Sequence, residues 1–232
     1  MALSVIIPVA RGDDAWPDLL GDLLALGPQD EIIFVSTAAI SDQVQSSPAF
    51  AALPCPCQFV VSAPGRAKQL NAGARRARHS SVWFLHCDSR VPASSIKALL
   101  IALNDAPESL HFFDLKFQND GPSMVHINGV GVWIRSRMLR LPFGDQGLCT
   151  SLATFNALGG FDELTPYGED HLFVWRAHQA GIRVRAVGAR LYTSARKYRT
   201  FGWRQTTARH LHLTAKQALP EFVRLLRERI FI

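Results

Sequence analysis

The chain is poor in several features that would have narrowed its function at once. Four cysteines in 232 residues are too few for a disulfide framework. Cys55 and Cys57, in "PCPC", are too close for an easy bridge and lack a His/Cys partner pair at zinc spacing. That usage suits a reducing compartment. No apolar run approaches the roughly 18–20 residues needed to cross a bilayer. The start, "MALSVIIPVARGDD", lacks the basic opening and long apolar core of a secretory leader. A cytoplasmic protein is expected, or one that touches the inner face of a membrane. No Walker loop occurs, and no GxGxxG follows the first apolar run. Aromatic residues are not interleaved with basic ones, which argues against a nucleic-acid stacking surface.

What is present is the balance of an ordinary globular protein, 48% hydrophobic and 19% charged, long enough for a sizeable core. The net charge of +6 is unevenly placed. Residues 1–195 hold 16 Lys/Arg against 17 Asp/Glu, whereas residues 196–232 hold nine against two. A neutral body therefore carries a cationic tail, which suits anionic lipid or the body's own acids.

Short apolar runs at 3–8, 31–36, 58–63 and 81–87 read as buried strands. Between them, helical spacing appears after Asp13 or Asp14 as a cap, over 66–79, and over 94–105. This alternation predicts an α/β fold with a mostly parallel central sheet and helices on both faces. Ligands then sit beyond the carboxyl ends of the strands. Further on, 111–117 reads as a strand, 127–136 as a glycine-bearing strand or loop, and 150–163 as a short helix closed by Gly159-Gly160. A helix is expected over 168–181. The tail from about Arg204 puts Leu211, Ala215, Leu219, Phe222 and Leu226 on one helical stripe, with Pro220 kinking or splitting it.

Three stretches carry candidate chemistry. "FLHCDSR" ends a buried run with His86 and Asp88, which point to the same side if the chain stays extended. A carboxylate there suits a divalent cation held against a diphosphate, Mg2+ or, with the imidazole beside it, Mn2+. Equally, Asp88 serves as a helix cap. "APGRAKQLNAGARRA" places Arg66 and Lys68 early in a helix, where cations oppose the dipole unless an anion is bound. "GEDHLF" opens a helix with Glu169 and Asp170, either as dipole compensation or as a general base. Asp145 and Gln146, between glycines in "PFGDQG", line a polar pocket or form an ordinary turn.

In order, "SVIIPV", "GRAKQLNAGA", "FLHCDSRVP", "FGDQG", "LGGFDE" and "GEDHLFVWRAHQAGIRV" resemble the family 2 glycosyltransferases of GT-A fold over roughly residues 3–200. Within that family they are most similar to a bacterial subgroup named for arsenosugar biosynthesis. The resemblance implies an inverting, metal-dependent transfer from a nucleotide-sugar donor to an acceptor hydroxyl. Pro8, Val9 and Ala10 would line the base, with Ser36 after the second strand, and Gly65, Arg66 and Gln69 near base, ribose or phosphates. His86 and Asp88 stand where the family carries its DxD motif, and Asp88 would bind the metal. Asp170, or Glu169 beside it, would be the catalytic base, and Asp145 and Gln146 would touch donor sugar or acceptor. This chain departs from the pattern at Arg11, where relatives carry an acid, and at Ser36-Thr37, where they commonly carry an Asp.

One domain over 1–232 is expected: a nucleotide-binding half (1–105), an acceptor half (106–203) and a basic amphipathic helix (204–232). That helix either packs on the body or holds the protein at an anionic membrane near a lipid-linked acceptor. The other functions in view are a non-catalytic nucleotide-binding domain and a nucleotidyltransferase.

Overall fold

The computed structural model describes residues 2–10, 16–38 and 48–230, of which 228–230 by backbone only. The helix caps expected at Asp13 or Asp14, and Arg11, lie outside the described residues. Eight strands make one sheet: β1 (Leu3–Val9), β2 (Glu31–Ser36), β3 (Cys57–Val61), β4 (Ser81–Phe84), β5 (Ser89–Arg90), β6 (Leu110–Phe117), β7 (Cys149–Ser151) and β8 (Val184–Thr193). Their order is β3-β2-β1-β4-β7-β6-β8-β5. β1, β2, β3 and β4 run parallel, as unbroken apolar runs require, because only a sheet covered on both faces buries every residue of such a strand. β7 runs against both β4 and β6, and β8 is parallel to β6.

Alternate residues feed two cores. Val5, Ile7, Phe34 and Trp83 face one, with Leu19, Leu23, Ile96 and Leu99 from helices Trp16–Leu23 and Ala93–Asp105. Ile6, Ile33, Val35 and Phe84 face the other, with Leu70, Phe155 and Phe173 from helices Arg66–Ala74, Leu152–Ala157 and Glu169–Gln179. The α/β class and the covered, mostly parallel sheet are therefore as the pattern implies.

Four expectations need correction. The fourth strand ends at Phe84, and 86–89 is a turn in which the Ser89 N–H donates to the His86 carbonyl at 3.1 Å. Residues 125–138 form a helix, neither strand nor loop. Its β-branched residues suggested a strand, yet Ile127, Val130 and Ile134 also recur at helical spacing. Residues 149–151 form β7, and Ser151 then caps the following helix by accepting the Thr154 N–H at 2.9 Å. Trp203–Ile230 is one helix with Pro220 inside it, so of the two outcomes expected at that proline the split does not occur.

The "QLNAGA" stretch works on the sheet. Gln69 Nε2 donates to the Val9 carbonyl at 3.0 Å and the Val35 carbonyl at 2.8 Å, tying the carboxyl ends of β1 and β2. Asn71 holds the "GGFDE" loop, donating to the Phe161 carbonyl and accepting the Phe161 N–H. Gly73 has no room for a Cβ, which would collide with Ile6 of β1. At the opposite end of the sheet, Arg78 pairs with the buried Glu31, and Arg75 with Glu163, so these late-helix cations have local acids.

Candidate active site

Beyond the β4 end lies a cavity of about 870 Å³, walled by Arg66, His86, Asp88, Asp145 and Asp170 on its polar side. Helices Val125–Met138, Arg196–Phe201 and Trp203–Ile230 close the other sides with Ile127, Val132, Tyr198, Trp203 and Leu211. Among the site residues expected from sequence, these five polar groups are brought together. Pro8, Val9, Ala10, Ser36, Gly65 and Gln69 do not line this cavity. Pro8, Val9, Ala10 and Ser36 cluster instead at the adjoining carboxyl edge of β1 and β2, where Val9 pairs with Ser36. Both Nε2 hydrogens of Gln69 are spent on strand carbonyls, so it shapes that edge instead of offering its amide.

The centre of the site is an ion cluster. Arg66 Nε donates to Glu169 Oε1, and its NH2 lies 3.3 Å from Asp170 Oδ2. The anion that steadies this early-helix cation is thus a carboxylate pair from another helix. Asp170 Oδ2 also accepts the Gly144 N–H at 2.5 Å, and Oδ1 accepts the His171 N–H at 2.8 Å. Burial by itself would raise the Asp170 carboxyl, but Arg66 and the two N–H donors outweigh it and hold the group below its usual range. Asp170 is ionised at neutral pH. Glu169 is buried behind it and is not part of the cavity wall. Gly168, at φ +68, begins this helix in the left-handed region that L side chains rarely adopt, beside the Gln217 amide.

His86 Nε2 faces Arg66 NH1 at 3.4 Å. Burial first, then Arg66 and Lys197, push its imidazole down to about 3, so the ring is neutral. Asp145 is the least satisfied group present: its Oδ1 is buried without a hydrogen-bond partner, and burial raises its carboxyl despite Lys197 and Arg135. Such an oxygen is ready to accept from a ligand hydroxyl. Gln146 is fully buried and corrects the expectation of a sugar contact. Its Nε2 donates to the Phe113 carbonyl at 2.9 Å and its Oε1 accepts the Phe143 N–H at 3.2 Å, so it fixes the loop.

Sequence reading missed Arg135 and His171. Arg135 lies 3.3 Å over the Phe143 ring and donates to the Leu141 carbonyl, close to Asp145. Reading 127–136 as strand or loop hid it, although its place one helical turn past Gly131 was available. His171 joins the long helix to the site: Nδ1 lies 2.8 Å from Gln217 Oε1, and Nε2 accepts from Trp175 Nε1 at 2.8 Å. Arg196 and Lys197 reach the cavity from the first turn of helix Arg196–Phe201, whose approach Asp120 fixes by accepting the Ser194 hydroxyl and the Ala195 N–H.

Among the described residues no three His, Cys, Asp or Glu side chains converge on a metal-sized site. Two donors, Asp88 and a neutral His86, share the cavity, although the turn at 86–89 removes the extended geometry expected for them. A hard cation commonly takes one or two protein ligands and completes its shell with phosphate and water. The pair therefore fits a cation shared with a diphosphate and does not fit a closed resident site.

No protein-family model matches the chain, and no curated protein matches it in sequence. Solved structures do match in shape. TarS of S. aureus superposes with a TM-score of 0.65 at 17% identity, over 84% of this chain and 37% of that one. TarS 1-349 in complex with UDP-GlcNAc gives 0.63 at 18%, over 84% and 58%. The mannosyltransferase PcManGT of Pyrobaculum calidifontis, in complex with GDP-Man and Mn2+, gives 0.69 at 17%, over 98% and 68%. The chain spans from 37% to 61% of the TarS chains it matches. At these identities the likeness establishes the fold, which is that of the GT-A glycosyltransferases.

Proposed function

We propose that this protein moves a sugar from a nucleoside diphosphate donor to an acceptor hydroxyl, inverting the anomeric carbon. The observation that carries the reading is the single cavity that gathers Arg66, His86, Asp88 and Asp145 around a buried, ionised Asp170. The nucleotide-sugars bound by TarS and PcManGT support that donor class for this fold. The family 2 assignment and its arsenosugar subgroup rest on the quoted motifs alone.

Arg66, Arg196 and Lys197 supply positive charge where donor phosphates would lie. Asp88 and His86 would hold a divalent cation, which when bound neutralises charge on the departing diphosphate. Asp145 offers its unpartnered oxygen to a sugar hydroxyl. Asp170 takes the proton of the acceptor hydroxyl as that oxygen attacks the anomeric carbon from the face opposite the diphosphate. The bond from carbon to the diphosphate oxygen breaks in the same displacement, which inverts the centre. Asp170 is favoured over Glu169 because it alone of the two lines the cavity. Arg66 also links donor binding to base strength. Drawn toward phosphates, its guanidinium would leave Asp170, and burial would then raise the proton affinity of that carboxylate.

Isothermal titration with UDP, GDP and their sugars, with and without Mn2+, tests the donor class. Release of nucleoside diphosphate reads turnover. Binding should tighten with Mn2+, and Asp88→Ala should abolish that dependence. Asp170→Asn should retain binding while losing roughly 10²–10⁴ in turnover. Absence of nucleotide binding, or undiminished turnover by Asp170→Asn, overturns the proposal. Binding without turnover, indifferent to metal and to Asp88→Ala, is the behaviour of a non-catalytic domain.

A further inference from the structure

The long C-terminal helix is turned unusually. Its polar residues face the body: Gln217 meets His171 and the Tyr167 carbonyl, and Glu221 accepts from Gln179 Nε2 at 2.9 Å. Leu211, Ala215, Leu219 and Leu226 lie exposed along one stripe, Leu211 and Leu219 by 66% and 67%, and Phe222 on the same stripe is half exposed with one edge against Trp175 of the body. A surface helix ordinarily does the reverse. Lys216, Arg209 and Arg227 are exposed on the solvent side of the same helix, further round the helical wheel from this stripe.

A second helix, Val125–Met138, repeats the pattern. Only Val125 and Ser136 of it are buried. Ile127, Val130, Ile134 and Met138 form one exposed stripe. Asn128 ties the two helices together, donating to Thr207 Oγ1 at 2.9 Å and accepting from Trp203 Nε1 at 3.1 Å. Each stripe begins at a residue of the cavity wall, Ile127 in one and Leu211 in the other. Apolar surface thus extends outward from the cavity along both helices.

Charge identifies the occupant. Within the long helix, residues 203–227 hold five Lys/Arg and one acid, Glu221, which is engaged by Gln179 and Arg224. A second copy of the chain would bring two such cationic faces together, at an electrostatic cost. Anionic headgroups above acyl chains satisfy both the cations and the apolar stripes. Among the described residues no helix is long and apolar enough to cross a membrane, so contact stays at the interface.

We infer that these two helices form one docking face for an anionic bilayer, holding the cavity at the lipid surface, where an amphiphilic acceptor would reach it. The acceptor clause rests on the glycosyl-transfer reading; the docking does not. Vesicle flotation of the whole protein, with no donor present, tests it. The protein should float with phosphatidylglycerol-containing vesicles at low salt and far less with pure phosphatidylcholine. Trp133, half exposed beside the second stripe, should shift its emission to the blue in the bound state. The triple variant Ile134→Ser, Leu219→Ser, Leu226→Ser should partition roughly tenfold or more weakly with an unchanged melting temperature. Lys216→Glu with Arg227→Glu should erase the preference for anionic vesicles, and this pair decides the matter if the serine variant folds poorly. Wild type that stays unbound, or variants that float as well as wild type, overturns the inference. So does a dimer by sedimentation that the serine variant dissociates without any vesicle binding. Vesicle binding requires no turnover, so failure here and failure of the transfer reading are separable.

Discussion

Arg66 sits between two carboxylates from another helix, and its value to the site is the state in which it leaves them. With the guanidinium present, Asp170 stays below the ordinary carboxylate range even though it is buried. Removing the cation leaves only the Gly144 and His171 N–H donors against burial, so Arg66→Gln should move the acidic limb of the kcat/KM profile to higher pH. A pH–rate profile of both proteins checks the sign, and an unchanged limb would separate Asp170 from the titrating group. Gln69 is a different kind of residue, with a structural task that its place in a site motif conceals. Gln69→Leu strands two buried strand carbonyls, at a cost of about 2 kcal/mol in urea unfolding. Residue types and order singled out Arg66, Asp88, Asp145, Glu169 and Asp170 as candidates, and all but Glu169 line the same cavity. Division of labour among them was not legible, because it depends on which side chains are already consumed by the backbone.

At the scale of elements, packing decides what a glycine means. Gly73→Ala would force a Cβ into Ile6 and should cost about 1–3 kcal/mol, seen as a lowered urea midpoint. Gly21, on the exposed side of helix Trp16–Leu23, has open space where a Cβ would go. Gly21→Ala should therefore add about 0.5–1 kcal/mol by the same measurement. The buried strands were legible because an unbroken apolar run has few other stable fates. Helix Val125–Met138 was not, because apart from Val125 and Val132 its large apolar residues stay out of the core. A stripe facing outward supplies the same letters as a strand facing inward, and only neighbours tell them apart. The short β7 was hidden for a related reason: three residues carry no period, and antiparallel partners on both sides define it.

Acid stability belongs to the molecule as a whole. His86, His111 and His171 all have imidazoles pushed below their ordinary value, with burial the leading cause in each. An unfolded chain gains protons at these rings near pH 6.5, while the native protein still refuses them. Stability is thus fully present above that pH and is lost as the medium is acidified. His86, down to about 3 in the fold, should contribute most of the loss below pH 6.5. Urea midpoints at pH 7 and pH 5 should show the drop, and replacing His86 with Gln should shrink it.

What the sequence determined by itself follows from local periodicity and from order along the chain. Runs apolar on every residue required a sheet covered on both faces. Their carboxyl ends placed His86 and Asp88 in the wall of the cavity beyond the sheet, and an excess of cations marked the tail. Tertiary structure alone decided that Arg66 meets Glu169 and Asp170, residues about a hundred positions away. It alone turned the apolar stripe of the last helix outward, because polar partners at His171, Tyr167 and Gln179 claimed the other side. A helical stripe has a direction only when something stands opposite it, and nothing within the helix supplies that neighbour.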